Sequence, residues 1–349
     1  MPRRIYIHAN NVHQGGGRSL LLALLESLSN NLDWFATLDA RLFPLKDSFG
    51  EGRIKWVAGS ALQRLNSEWW IFRHVQKEDV LICFGNLPPL LRSRGRVIVF
   101  VQNRYLVESH CLQGLSVGLR LRICIERWWL IMRTKNVDLF VVQTPTMKSL
   151  LQTRIARVKA VADFPFVGAN EGYARTVPAR TASVFKYDFL YVASGEPHKN
   201  HRNLIEAWCL LAQAGSFPSL CLTVDEAAFP EICRLLQLKK AEFGLKVENR
   251  GSIPHAQIRL LYGQARAFIF TSAFESLGLP LIEARQAGLP VLAPELDYVR
   301  DVLDPEQVFD PASPVSIARA VKRFLSLEEP PLMLLDAEGF MNHILQGSK

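Results

Sequence analysis

Residues 270–290 hold two glutamates, Glu275 and Glu283, eight positions apart, with Ser276 and the triplet Gly278-Leu279-Pro280 between them. The apolar run 267–270 reads as a strand that empties into a short polar loop. A helix is expected to begin at the triplet, because proline is favoured in a first helical turn, where its missing N–H would have had no partner. A strand, a tight glycine turn and a fresh helix N-terminus together make a site for an anion. The flanking carboxylates can accept hydrogen bonds from hydroxyls. Phosphate on one side and hydroxyls on the other is the chemistry of a nucleotide sugar.

Three other places carry candidate residues. Lys199 and Asn200 follow Gly195 and Pro197, just past a strand-like run at 188–194. Gly15, Gly16 and Gly17 stand between a first strand, Ile5–Ala9, and a leucine-rich helical stretch at 19–28. Glycines there let a ligand approach the backbone. Their spacing is not Gly-x-Gly-x-x-Gly, and no acidic residue is evident after a second strand, so a dinucleotide site is not indicated; a purely structural turn stays open. Gln102, Asn103 and Arg104 lie past the end of another strand, the edge at which open α/β sheets bind ligands. They are candidates for touching donor or acceptor sugar, the other reading being loop groups that satisfy their own backbone.

These positions need rigid elements behind them. Short runs rich in Val, Ile and Phe at 79–84, 96–102, 138–144 and 158–166 read as parallel strands buried on both faces. The pattern then restarts with strands at 188–194, 220–224, 246–248, 267–270 and 291–293, helices between them, and a last helix of the series at 316–325. Residues 167–187, with Gly168, Gly172 and Pro178 and no periodicity, read as a linker. The expectation is an α/β chain of two Rossmann-like, doubly wound domains, 1–180 and 181–330, facing each other across a cleft. A short helix at 335–345, after Glu328-Glu329-Pro330-Pro331, is expected to pack back on the first domain.

Composition narrows the partners. Of 349 residues, 49% are hydrophobic and 21% charged, as in an ordinary soluble protein. The start reaches Asn10-Asn11 at once and no run of eighteen apolar residues occurs, so neither a signal peptide nor a transmembrane helix is expected. The six cysteines are scattered without a Cys-x-x-Cys pair and read as reduced core thiols of a cytoplasmic protein. Residues 1–180 hold 25 Lys/Arg against 13 Asp/Glu and the remainder 16 against 20, so an anionic partner is expected for the first half alone. The Lys/Arg form no blocks with stacking aromatics among them, which argues against nucleic acid. Within 112–135, Arg120, Arg122, Arg127, Arg133 and Lys135 beside Trp128 and Trp129 fit an interfacial membrane helix. A core helix with a solvated basic face is the other reading.

In this order and separation the motifs resemble a family 4 glycosyltransferase of the GT-B fold, over most of the chain. Phe189-Leu-Tyr-Val-Ala-Ser, then Lys199-Asn200, then Leu204-Ile-Glu-Ala-Trp resemble its strand, phosphate-binding lysine and following helix. Residues 251–272 resemble the approach to its donor loop. Glu275 and Glu283 around Gly278-Leu279-Pro280 resemble its signature, and Gly15–Gly17 its first-domain glycine loop. Three positions depart from the family: Ser194 stands where an arginine is usual, Ser276-Leu277 where Gly-Phe is usual, and Gln102-Asn103 where a histidine is common. Arg18, Arg104 and Arg202 are candidates to replace the absent arginine.

The resemblance implies a hexosyltransferase that retains anomeric configuration and uses a nucleoside-diphosphate sugar, GDP-mannose favoured, with no cofactor and no metal. It assigns catalysis to Lys199 and Glu275, with Glu275 holding hydroxyls of the donor sugar and Glu283 those of the ribose. Gly15, Gly16, Gly17, Asn200, Ser276, Gly278 and Leu279 would bind the rest of the donor. The implied acceptor is a polyprenyl-diphosphate-linked saccharide at the inner face of the cytoplasmic membrane, in bacterial O-antigen, capsule or exopolysaccharide assembly. A nucleotide-sugar epimerase of similar fold and an inactive nucleotide-sugar- or anion-binding protein are the competing expectations.

Overall fold

The structure, a computed structural model, describes residues 4–28, 33–48, 53–108, 112, 115–155, 160–166 and 185–327. The expected helix at 335–345 and most of the expected linker lie outside them. Seven parallel strands form the first sheet: β1 (Ile5–Ala9), β2 (Trp34–Asp39), β3 (Ile54–Val57), β4 (Val80–Cys83), β5 (Arg96–Phe100), β6 (Leu139–Val142) and β7 (Val161–Asp163). Their order is β3-β2-β1-β4-β5-β6-β7. Alternation of side chains along each strand feeds two cores. Tyr6, Leu81 and Cys83 face Ile71 of helix α2 (Ala61–His74) and Ile123 of α3 (Val117–Met132), whereas Ile7 and Ala9 face Leu20, Leu21 and Leu25 of α1 (Gly15–Leu28). The first sheet is followed by α4 (Pro145–Arg154).

The second sheet has six strands: β8 (Tyr187–Tyr191), β9 (Leu220–Leu222), β10 (Val247–Asn249), β11 (Ala265–Ile269), β12 (Val291–Pro294) and β13 (Gln307–Phe309). They pair in parallel in the order β10-β9-β8-β11-β12-β13. Around them lie α5 (His201–Gln213), α6 (Pro230–Phe243), α7 (His255–Gln264), α8 (Leu279–Gln286), α9 (Asp297–Arg300) and α10 (Pro314–Phe324). The core is one cluster in which Trp208 of α5 packs edge-on against Phe189 at 5.7 Å. Both sheets reverse strand order beside their first strand, between β1 and β4 and between β8 and β11. Crevices for ligands form outside the carboxyl ends of strands at such switch points. The architecture is GT-B.

Several expectations need correction. Strands β2, β3 and β13 were not anticipated, and Asp39 does close a second strand, contrary to the sequence reading. Its carboxylate is held by the Arg41 guanidinium at 2.6 and 2.8 Å, so it serves a local clamp. Gly15–Gly17 are not a loop but the first turn of α1. The thiols are not all in the core: Cys124 is exposed on α3, and Cys111 lies outside the described residues. The helix within 112–135 joins the core and exposes Arg120 and Arg122 as the core-helix reading expects, but its solvent face is not purely basic. α3 buries Ile123 and Leu130 and leaves Leu121, Ile125 and Trp128 in the open. No described helix is long and apolar enough to cross a membrane.

Candidate active site

Lys199 closes a single 3-10 turn, Pro197–Lys199, after β8. Asn200 then takes a left-handed backbone (φ 62°), which asparagine tolerates better than most residues, and α5 starts. The turn is sewn to the loop leaving β11. The Lys199 carbonyl accepts from the hydroxyls of Tyr191 (2.6 Å) and Thr271 (3.2 Å). The His198 carbonyl accepts from the Ala273 N–H (2.8 Å) and the Ser272 hydroxyl (3.1 Å). Tyr298, fully buried on α9, donates to the Ser272 carbonyl at 2.6 Å. Burial, with the nearby Glu275 carboxylate second, pushes both tyrosine hydroxyls well above their usual range, so they remain donors.

That stitching brings Lys199 Nζ within 2.6 Å of Glu275 Oε1, both side chains largely buried. Two residues 76 positions apart in sequence thus form one charged pair at the mouth of the β8–β11 crevice. Beyond Glu275, Gly278 turns the chain with φ +76°, and Leu279 and Pro280 open α8. The first-turn N–H groups of a helix have no partner inside it and carry partial positive charge. The lysine, the carboxylate and the helix N-terminus therefore combine a cation and oriented N–H groups for an anion with an acceptor for hydroxyls.

The first domain closes over this site. Gly15 begins α1 with φ +63°, and the two helix starts meet closely at Gly16, where a Cβ would stand 2.9 Å from Leu279 Cδ1 and make that side chain shift. Leu279 itself packs on the apolar cluster of α1. Arg104 reaches across with Nη1 donating to the Glu275 carbonyl at 3.1 Å and its guanidinium 4.9 Å above the Phe274 ring. Tyr105 packs tilted against the same ring, centroids 4.5 Å apart, and Thr144 donates to the Ser276 carbonyl at 3.4 Å. Gln102 donates its side-chain amide to the Phe84 carbonyl (3.2 Å), with its Oε1 facing Gly17, and Asn103 caps the Tyr105 N–H (3.0 Å). Asn86, left-handed at φ 72°, accepts from the Gln102 and Asn103 N–H groups at 2.6 and 2.9 Å and fixes that loop.

Glu283, in the second turn of α8, accepts from the Tyr262 hydroxyl at 3.0 Å and lies 3.3 Å from His255 Nε2. Asn200 spends its side-chain amide on the carbonyls of Thr271 (3.2 Å) and Pro311 (2.7 Å), so it holds the scaffold and only its neighbourhood to Lys199 links it to a ligand. Ser194, at the position of the family's arginine, hydrogen-bonds Glu196. Of the three arginines considered as substitutes, Arg202 pairs with Glu231 at 3.8 Å on the surface, and Arg104 is the one brought against the donor loop. Asn86, Tyr105, Tyr191, Phe274 and Tyr298 escape the sequence reading. Asn86 and Tyr105 carried a signal, each lying just past the C-terminal end of a strand.

His201 gives this domain a pH dependence. Its Nε2 is 2.8 Å from the Ser194 carbonyl and must donate to it, which leaves the buried Nδ1 without a partner. A proton there would be charged and unsolvated, and burial, opposed by that hydrogen bond, lowers the imidazole from 6.5 to about 4. The folded state thus resists a proton that the unfolded chain takes up below 6.5. Stability from the neutral ring is whole above that pH and is lost as pH falls toward 4, by roughly 3 kcal/mol. Urea unfolding at pH 7 and pH 4.5 is expected to show that loss in the wild type and less of it in His201→Gln; equal losses in both would refute the assignment.

Residues 180–335 match the family model described as glycosyl transferases group 1. A serotype-specific mannosyltransferase, WbdA of Escherichia coli, is 31% identical over 174 residues, which are 48% of this chain and 20% of that protein. The O-antigen chain mannosyltransferase RfbU of Salmonella typhimurium is 23% identical over 249 residues, 67% of this chain and 64% of its own. The chain thus spans only about a fifth of the length of the first of these relatives. Among solved structures, Anabaena Alr3699/HepE in complex with UDP and glucose superposes with a TM-score of 0.66 at 14% identity, covering 92% of this chain and 89% of that one. Sucrose-phosphate synthase from Thermosynechococcus elongatus gives 0.68 at 16% identity, with 93% and 90% covered. At such identities these likenesses speak for the fold.

Proposed function

We propose, for a chain whose residues 180–335 match the model of the glycosyl transferases group 1, that it moves a hexose from a nucleoside diphosphate to a glycan hydroxyl in bacterial O-antigen or related surface-polysaccharide assembly. The observation that carries the reading is the Lys199–Glu275 pair beside the N-terminus of α8. The anomeric carbon's bond to the diphosphate breaks with its electron pair leaving on the diphosphate. Lys199 and the N–H groups around Gly278 and Leu279 are aimed at that charge, in a partly dry site where fixed dipoles act strongly. Glu275 accepts from hydroxyls of the donor sugar, and the acceptor hydroxyl attacks on the same face, passing its proton to the departing diphosphate oxygen, so configuration is retained. The names of the relatives favour mannose as the sugar, and guanosine as its carrier follows by that analogy. The reaction calls for no cofactor and no metal beyond these groups. A thermal-shift panel of nucleoside diphosphates, followed by measurement of released diphosphate with and without a lipid-linked saccharide, tests it. Release of a free altered sugar without acceptor would replace it by the epimerase reading, and no binding of any nucleotide would end it.

Glu283, already held by Tyr262 and facing His255, is placed to keep ribose hydroxyls. Glu283→Ala is expected to weaken nucleoside diphosphate affinity by about tenfold, the value of a lost charge-assisted hydrogen bond, with a smaller effect on turnover. Calorimetry that finds the affinity unchanged would remove Glu283 from the donor site.

A further inference from the structure

Between α2 and α3, on the face of the first sheet opposite α1, runs a cavity of about 660 Å³ walled by Leu65, Leu87, Leu90, Leu121, Ile125 and Trp129. Leu65, Leu121 and Ile125 are 52%, 62% and 52% exposed, so apolar surface is left uncovered on both helices. The floor is polar and unfinished. Asn10, 8% exposed, donates to Ser67 at 2.6 Å, yet its buried Oδ1 has no partner, and neither does the buried Nε of Arg64. A second cavity of about 550 Å³ adjoins the first and shares Asn11, Arg64 and Arg122 with it. His13 and Arg41, which pairs with Asp39 at 2.6 Å, complete its rim, and Arg122 pairs with Glu126 at 2.8 Å. A diphosphate would take both guanidiniums in exchange for those carboxylates; His13 lies two residues before Gly15.

We propose that this pair of cavities binds the lipid part of the acceptor, an isoprenoid diphosphate, with the chain along the α2–α3 groove and the diphosphate in the pocket of Arg41, Arg64 and Arg122. The occupant rests on the transferase reading above; the site rests on its own chemistry. An apolar trough that ends in a cationic pocket is complementary to one long hydrocarbon chain closed by an anion. A membrane surface would meet the apolar side chains that flank the trough, Leu62 and Trp69 on α2 and Val117 and Trp128 on α3, but would leave the unpartnered Asn10 amide at the floor unanswered. Asn10 and Asn11 follow β1 and Gly85 follows β4, so the trough reaches the sheet edge that also carries Gly15–Gly17 and Gln102. A saccharide borne on the diphosphate would leave the basic pocket beside α1's first turn, where the donor site begins.

Titration calorimetry with farnesyl diphosphate below its micellar concentration tests this, with inorganic diphosphate and farnesol as head-only and tail-only probes. It is run with and without saturating guanosine diphosphate, because the donor site competes for diphosphate. Farnesyl diphosphate is expected to bind at least about tenfold more tightly than either fragment, by the hydrocarbon area it buries. Leu121→Gln and Ile125→Gln, both at exposed positions, are expected to weaken it about tenfold and leave inorganic diphosphate and guanosine diphosphate unchanged. Arg64→Ala is expected to weaken farnesyl diphosphate and inorganic diphosphate alike. Equal affinity for farnesyl and inorganic diphosphate, or no effect of the two glutamine variants, overturns the proposal. Loss of binding to phosphatidylglycerol vesicles in those variants, with farnesyl diphosphate ignored by the wild type, overturns it in favour of membrane docking. A wild type that takes farnesyl diphosphate but no nucleotide sinks the transferase reading and leaves the groove standing.

Discussion

Lys199→Ala is expected to lower turnover by about 10²–10³, the scale for removing one fixed electrostatic stabiliser of a departing charge. The side chain sits on a turn whose carbonyl is gripped by Tyr191 and Thr271, so the backbone should survive its truncation. What goes is a cation 2.6 Å from Glu275, and the carboxylate left behind becomes an unpaired, largely buried negative charge facing the incoming diphosphate. Both consequences act in the same direction, and the absence of the family's arginine at Ser194 leaves less to compensate. Steady-state rates for the purified variant, with circular dichroism to check its fold, measure the loss. Turnover within a few-fold of wild type would take Lys199 out of the chemistry.

Glu275→Gln is the more discriminating change, because its two effects have opposite signs. The carboxylate holds Lys199 at 2.6 Å, so a diphosphate that takes the lysine must lie near that carboxylate. Neutralising Glu275 frees the lysine and removes a like charge, so affinity for the nucleoside diphosphate alone should rise by about three- to tenfold. Turnover should fall by about 5- to 30-fold, since a charge-assisted bond to the sugar hydroxyls is exchanged for a neutral one worth about 1–2 kcal/mol less. The glutamine is nearly isosteric, so packing beneath Arg104 and Phe274 is preserved. Affinity and turnover falling together would mean that Glu275 shapes the loop and does not hold the sugar.

The residues of the candidate site were readable without coordinates, since Glu275, Gly278, Leu279 and Pro280 sit in one local strand–turn–helix and Lys199 in another. Their meeting was not, because it depends on hydroxyls of Tyr191, Thr271, Ser272 and Tyr298 bonding main-chain carbonyls, and a hydroxyl's partner leaves no trace in spacing. Strands were legible where apolar runs are long. β13 has three residues, and β2 is interrupted by Ala36 and Thr37, so neither stood out from its surroundings. The glycine triplet misled because three helix-breaking residues argue for a loop, whereas Gly15 supplies the left-handed entry and Gly16 and Gly17 pay their helical cost for closeness to Leu279 and Gln102. Arg104 was placed at the cleft by its position past β5, but its grip on the Glu275 carbonyl belongs to tertiary structure alone.

Leu279 belongs to two domains at once: its peptide group opens the helix aimed at the donor, and its side chain seats among the leucines of α1. Modular exchange of sugar specificity between relatives is constrained accordingly. A donor loop grafted from another chain brings a residue at this position whose bulk was fitted to a different partner, against a Gly16 so close that a Cβ there would stand 2.9 Å from Leu279 Cδ1. Recombination breakpoints that keep the α1 start and the α8 start from the same parent should preserve function, whereas those that fall between them should yield chimeras that fold as separate halves and turn over poorly.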